Sequence, residues 1–89
     1  MVKNGQKKGT VSFILGGKYQ KVAVAGDFSG WEPVEMRKQK SGLWSATLSL
    51  KPGRHQYKFI ADNNWLLDPD NAERAASAMG TVNSVAVVK

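Results

Sequence analysis

The sequence predicts an all-β domain, a β-sandwich of about seven antiparallel strands. Three observations carry that prediction. Apolar residues recur at every second position in several short runs. Gly, Pro, Asn, Asp and Ser separate those runs at short intervals, as turns between strands require. Helix-forming composition is confined to one segment, NAERAASAM at 71–79.

The first strand is TVSFIL (10–15), in which Val11, Phe13 and Leu15 point one way. Gly16-Gly17 ends it, and KVAVAG (21–26) follows with Val22 and Val24 on a common face. GDFSGWEP (26–33) breaks that run as a turn and puts Trp31 where the chain should face water. After Ser41-Gly42, LWSATLSL alternates Trp44, Ala46, Leu48 and Leu50 with Ser45, Thr47 and Ser49. That is a half-buried antiparallel strand with one wet face. Lys51-Pro52-Gly53 turns the chain into RHQYKFIAD. His55, Tyr57, Phe59 and Ala61 take one face there, and Gln56, Lys58 and Ile60 the other. Asp62-Asn63-Asn64 is the next turn, since Asn tolerates positive φ. Segment 71–79 lies between the Asp68-Pro69 breaker and Gly80, so it is expected to form one or two helical turns at most within a loop. SVAVVK closes the chain, with Val85 and Val87 as the expected inward pair.

No internal repeat, linker or second domain is visible. Residues 10–89 read as one domain behind a flexible basic arm, 1–9, which carries Lys3, Lys7 and Lys8. A chain of 89 residues is long enough to bury roughly 60–65% of its unfolded surface. The absence of cysteine removes disulfides, zinc–thiolate sites and thiol catalysis together. It suits a reducing compartment, and with no signal-like or membrane-spanning run the expected location is cytoplasmic. The net charge of +6 is the balance of thirteen scattered basic residues against seven acidic ones. Their one local cluster, Arg37-Lys38-Gln39-Lys40, adjoins a turn. Dispersed charge of this kind solubilises, and neither a nucleic acid nor a membrane is expected as partner.

Catalysis needs a constellation, and none can be assembled. His55 shares a strand face with Tyr57 and Phe59 and reads as a packed or rim residue. Asp62, Asp68 and Asp70 lack the spacing of a calcium loop and its closing Glu, so they read as turn formers. Gly26 to Gly30 opens no helix and has no following Lys-Ser/Thr to cradle phosphate. The chain is therefore expected to be no enzyme and to need no cofactor or metal. Alternation explains Trp44 as core, but not Trp31 or Trp65. A flat apolar ring held at a surface, with a few polar groups nearby, matches the apolar face and hydroxyl rim of a glucose ring.

VAVAGDFSGWEPVEM, GLWSATLSLKPGRHQYKFIADNNWLLDPDN and GTVNSVAVV resemble carbohydrate-binding module family 48. That family includes the N-terminal modules of isoamylases and branching enzymes and the glycogen-binding domain of the AMP-activated protein kinase β subunit. Its motifs occur here in order: Gly-x-Phe-x-x-Trp, Pro-Gly-x-x-x-Tyr-Lys-Phe, a Trp before Asp-Pro, and an Asn leading into a valine-rich strand. The resemblance implies an immunoglobulin-like sandwich that binds α-1,4-glucans such as glycogen, starch and maltodextrins. It implies Trp31 and Trp65 as stacking platforms, Lys58 as a donor to sugar hydroxyls, and Thr81 and Asn83 as polar contacts. Met79 falls where kinase-type domains carry a leucine that reaches through the sugar curve. A glucan-active enzyme or kinase, in cis or in trans, is the implied protein partner.

Two tensions remain in the sequence. Thr81 and Asn83 share parity with Val85 and Val87, so the last strand must twist or bulge if the valines face inward. Strand counting does not bring Trp31 and Trp65 together; their convergence rests on the resemblance. A second reading is a scaffold or interaction domain of the same fold without sugar affinity, against which two exposed indoles argue. A third, nucleic-acid binding, predicts affinity that falls steeply with salt.

Overall fold

The computed structural model describes residues 1–5, 9–76 and 80–89. Its described residues form ten strands: β1 (Val2–Asn4), β2 (Thr10–Leu15), β3 (Val22–Gly26), β4 (Val34–Glu35), β5 (Arg37–Lys38), β6 (Trp44–Ser49), β7 (Gly53–Ala61), β8 (Asn64–Leu66), β9 (Arg74–Ala76) and β10 (Val82–Val88). All pair antiparallel, in a four-stranded sheet β1-β2-β6-β5 and a six-stranded sheet β4-β3-β7-β10-β9 with β8 also on β7. The predicted sandwich holds. The count exceeds seven because five of the ten strands are only two or three residues long. Such fragments are ladder pairs at turns and leave no periodic signal.

The alternation predicts the core well. Val11, Phe13 and Leu15 of the smaller sheet face Val22, Val24, Tyr57, Phe59 and Ala61 of the larger one, all buried in one cluster with Trp44. Phe13 meets Tyr57 edge-on at 4.9 Å between centroids, and Tyr57 meets Phe59 at 5.6 Å. The chain passes between sheets at 34–38, where Met36 is buried and donates its N–H to the Val22 carbonyl at 2.9 Å.

Two expectations are corrected. Val85 and Val87 are not the inward pair of the central cluster, although Val85 is itself buried. Ser84 lies opposite Tyr57, Ala86 opposite His55 and Val88 opposite Gly53, so Ala86 and Val88 join the core while Val87 is 45% exposed. Directly opposed residues share a face, which assigns Asn83, Val85 and Val87 to the outer face with no twist or bulge. The helical turns expected at 71–79 are absent from its described part. Arg74–Ala76 pair with β10: Arg and Ala are good helix formers, but three residues are too few to nucleate a helix against the backbone ladder that β10 offers. Residues 77–79 lie outside the described residues. Within the expected flexible arm, Val2–Asn4 pair with β2, whose outer backbone groups would otherwise form an open edge.

Candidate functional site

The outer face of the six-stranded sheet is organised by β7. One flank of β7 carries β3; the other carries β10 along residues 53–57 and β8 along 59–61, end to end. The position of β8 follows from a two-residue turn. Asp62 and Asn63 have φ of 48° and 70°, the paired positive values of a type I′ hairpin. Asp62 is held there by the N–H groups of Gln20 and Lys21, which donate to its Oδ1 at 3.0 and 2.9 Å. A turn of that length sets Asn64 opposite Ala61 and Trp65 opposite Ile60. Trp65 therefore stands on the outer face, 52% exposed, while Leu66 packs onto the core.

Lys58 shares that face, half-buried and opposite Ala25. Its parity makes it a diagonal neighbour of Trp65, within reach of long side chains. β10 stays in register with β7 up to Ser84 opposite Tyr57, so Asn83 comes to the level of Lys58. Asn83 is only 4% exposed and donates its amide to Gln56 Oε1 at 2.9 Å. Register thus brings Trp65, Lys58 and Asn83 to one place on one face. Thr81 is exposed just before β10. Met79 lies outside the described residues.

Trp31 lies on a separate turn, at the end of β3. β3 ends at Gly26, a 3-10 turn spans Asp27–Ser29, and Gly30 and Trp31 both take left-handed φ, 61° and 64°. Trp31 N–H donates to the Gly26 carbonyl at 2.8 Å, and the residue is 37% exposed. Gly26 itself is extended; what it cannot tolerate is a side chain. A Cβ there would lie 2.5 Å from the Gln56 carbonyl oxygen and 2.3 Å from the Phe28 ring. The turn is thereby seated against β7 beside Gln56.

Beneath the face lies a polar cluster that the sequence reading missed. Asp68, predicted as a turn former, does accept the Asp70 N–H at 2.9 Å, but it is also fully buried. Its Oδ2 accepts the Tyr57 hydroxyl at 2.7 Å and the Met1 amine, and its own N–H donates to Ser84 Oγ at 2.9 Å. Asn71 donates to the Tyr57 hydroxyl at 2.9 Å and the Val85 carbonyl at 2.8 Å. Burial pushes the Tyr57 phenol well above its ordinary value; the Asn71 donor opposes this, and the hydrogen bond and charge of Asp68 reinforce it. The cluster fixes the loop that joins β8 to β9. Serine 84 in a valine-rich strand was the available signal.

His55 is a rim residue, as expected: Nε2 faces the Lys51 carbonyl at 2.7 Å and Nδ1 faces Asp27 at 3.3 Å. Among the described residues no group of His, Asp or Glu is placed to hold a metal, and no helix is long and apolar enough to cross a membrane. A separate groove of about 310 Å³, lined by Glu35, Arg37, Gln39, Ser45 and Thr47 among others, contains none of the predicted site residues.

Residues 10–89 match the family described as the glycogen recognition site of AMP-activated protein kinase. The chain is 36% identical over 86 residues to the 5'-AMP-activated protein kinase subunit beta-1 of Sus scrofa, covering 97% of this chain and 68% of that protein. It is 36% identical over 61 residues to protein PTST homolog 2, chloroplastic, of Arabidopsis thaliana, covering 67% of this chain but 12% of that one. Against the rat kinase subunit beta-1 it spans 26% of the relative's length. Among solved structures, the maltogenic amylase from S. marinus superposes with a TM-score of 0.84 at 26% identity, over 100% of this chain and 16% of the amylase.

Proposed function

The chain belongs to the glycogen-recognition family of AMP-activated protein kinase, and on that premise we propose that it is a non-catalytic module binding α-1,4-glucans such as glycogen, starch or maltodextrin. Trp31 and Trp65 are the stacking platforms, Lys58 donates to sugar hydroxyls, and Thr81, Asn83 and Met79 complete the contact. The observation that carries this reading is the common placement of Trp65, Lys58 and Asn83 along β7, with an exposed indole beside a lysine.

Affinity follows from exposed area. Half-covering two indoles contributes ~1.5 kcal/mol each at ~25 cal/mol/Å². Several exposed hydrogen bonds add ~0.5–1.5 kcal/mol apiece, offset by ordering the oligosaccharide. A net of roughly 4–7 kcal/mol corresponds to a Kd between about millimolar and ten micromolar. That strength suits a module gripping a polymer of many equivalent sites. The protein partner in this reading is a glucan-active enzyme or a kinase, in cis or in trans.

The test is a maltoheptaose titration of ¹⁵N-labelled protein, following the two indole N–H signals at low and high salt. Saturable shifts at both, little changed by salt, are expected. No shift at high-millimolar sugar refutes the reading and leaves a scaffold domain of this fold. A steep loss with salt points instead to a polyanion.

A further inference from the structure

A bulky L-residue seldom adopts a left-handed backbone, because its Cβ crowds the carbonyl. Trp31 does so immediately after Gly30 has done the same. Such a conformation persists only where the surroundings over-determine it. Part of that constraint is internal to the turn. Ser29 Oγ accepts the Gly26 N–H at 3.2 Å and donates to the Glu32 carbonyl at 2.8 Å, and Glu32 N–H donates back to the Ser29 carbonyl at 3.1 Å. These bonds shape the turn but do not orient it on the sheet.

Two side chains do that. Phe28 stacks on Phe13 at 5.4 Å between centroids, which anchors the turn to the core. Asp27 reaches the strand itself. The ladder between β3 and β7 ends with Gly26 opposite Tyr57, and beyond that pair the Asp27 carboxylate stands in for a strand carbonyl. Its Oδ2 accepts the Gln56 N–H at 2.9 Å and its Oδ1 faces His55 Nδ1 at 3.3 Å. Two residues further along the same strand comes Lys58.

We propose that Asp27 is a positioning residue for ligand binding: it fastens the turn bearing Trp31 to the strand bearing Lys58, and so sets the Trp31 ring before ligand arrives. This rests on the glucan-binding reading given above. A platform oriented in advance loses less freedom on binding, so the contribution of Asp27 is to affinity as well as to folding. Removing the carboxylate leaves Phe28 in the core and Trp65 on its hairpin, but lets the Trp31 turn pivot. The Asp27→Asn variant keeps an oxygen able to accept the Gln56 N–H and should restore most of the effect.

The experiment compares ¹⁵N-labelled wild type, Asp27→Ala and Asp27→Asn, first free and then titrated with maltoheptaose. In free Asp27→Ala, the Trp31 indole signal is expected to move and its heteronuclear NOE to fall, while the Trp65 signal stays. The Kd rises about tenfold, and Asp27→Asn recovers most of that loss. Asp27→Ala with an unmoved Trp31 signal and a wild-type Kd overturns the proposal. Equal disturbance of both indoles overturns it too, because that is a general structural role. If the alanine variant does not fold, a tenfold-weakened Asp27→Asn also overturns it, since that variant retains the acceptor. If wild type itself shows no saturable binding, the glucan reading fails. The Trp31 NOE in the free proteins then still decides whether Asp27 orients the turn.

Discussion

Replacing Trp65 with alanine separates the binding role of this residue from any role in the fold. Trp65 is 52% exposed and lies outside the buried core cluster. An indole side chain offers up to ~250 Å², so ~130 Å² of this one is open. A glucose ring stacked on one face covers ~65 Å² of that, worth ~1.6 kcal/mol at ~25 cal/mol/Å². The Trp65→Ala variant should therefore bind maltoheptaose about fifteenfold more weakly. Its unfolding free energy should fall by less than ~1 kcal/mol, because the hairpin register comes from the Asp62-Asn63 turn and Leu66 still packs beneath. Calorimetric titration gives the first quantity and urea unfolding the second. A Kd within twofold of wild type would refute the platform. A loss of stability above ~2 kcal/mol with binding intact would show that the ring is a lid on the sandwich instead.

Tyr57→Phe removes a hydroxyl that donates to Asp68 and accepts from Asn71 inside the fold, and should cost ~2–4 kcal/mol in urea unfolding at neutral pH. The same variant carries a pH signature. The folded phenol is raised, so its contribution is fully present below the unfolded value of ~10 and is lost as pH rises beyond it. Wild type should thus lose stability, on the order of 1 kcal/mol, between pH 8 and pH 11 that Tyr57→Phe does not; parallel pH profiles would refute the assignment. Gly26→Ala places a methyl against the Gln56 carbonyl and the Phe28 ring, and should destabilise by ~1–3 kcal/mol. Because the rigid backbone cannot yield, Phe28 should move and the Trp31 indole signal should shift with it; an unperturbed spectrum would show the turn to be more compliant than argued.

Much of the fold is legible in local pattern. A strand with one dry face must alternate, so Val11-Phe13-Leu15 and Tyr57-Phe59-Ala61 announce their inner faces without knowledge of any neighbour. Where a run is apolar at both parities the signal vanishes. Val85 and Val87 look as suited to the core as Ala86 and Val88, and only pairing with β7 selects the latter. Three good helix formers become β9 because β10 offers them an edge. The candidate site divides in the same way. The turn signal at Asp62-Asn63 is local, and a two-residue hairpin then dictates which way Trp65 faces.

By itself the sequence determined the all-β class, the main inner faces and the two indoles that alternation cannot place in the core. Tertiary structure decided which distant groups meet. Asp27 reaches His55 across 28 positions, Asn83 reaches Gln56 across 27, and Asp68 finds Tyr57 and Ser84 in the interior. The physical reason is that alternation depends only on whether a face is wet or dry. Such pairings depend on strand order and register, which are set by the whole chain closing at once.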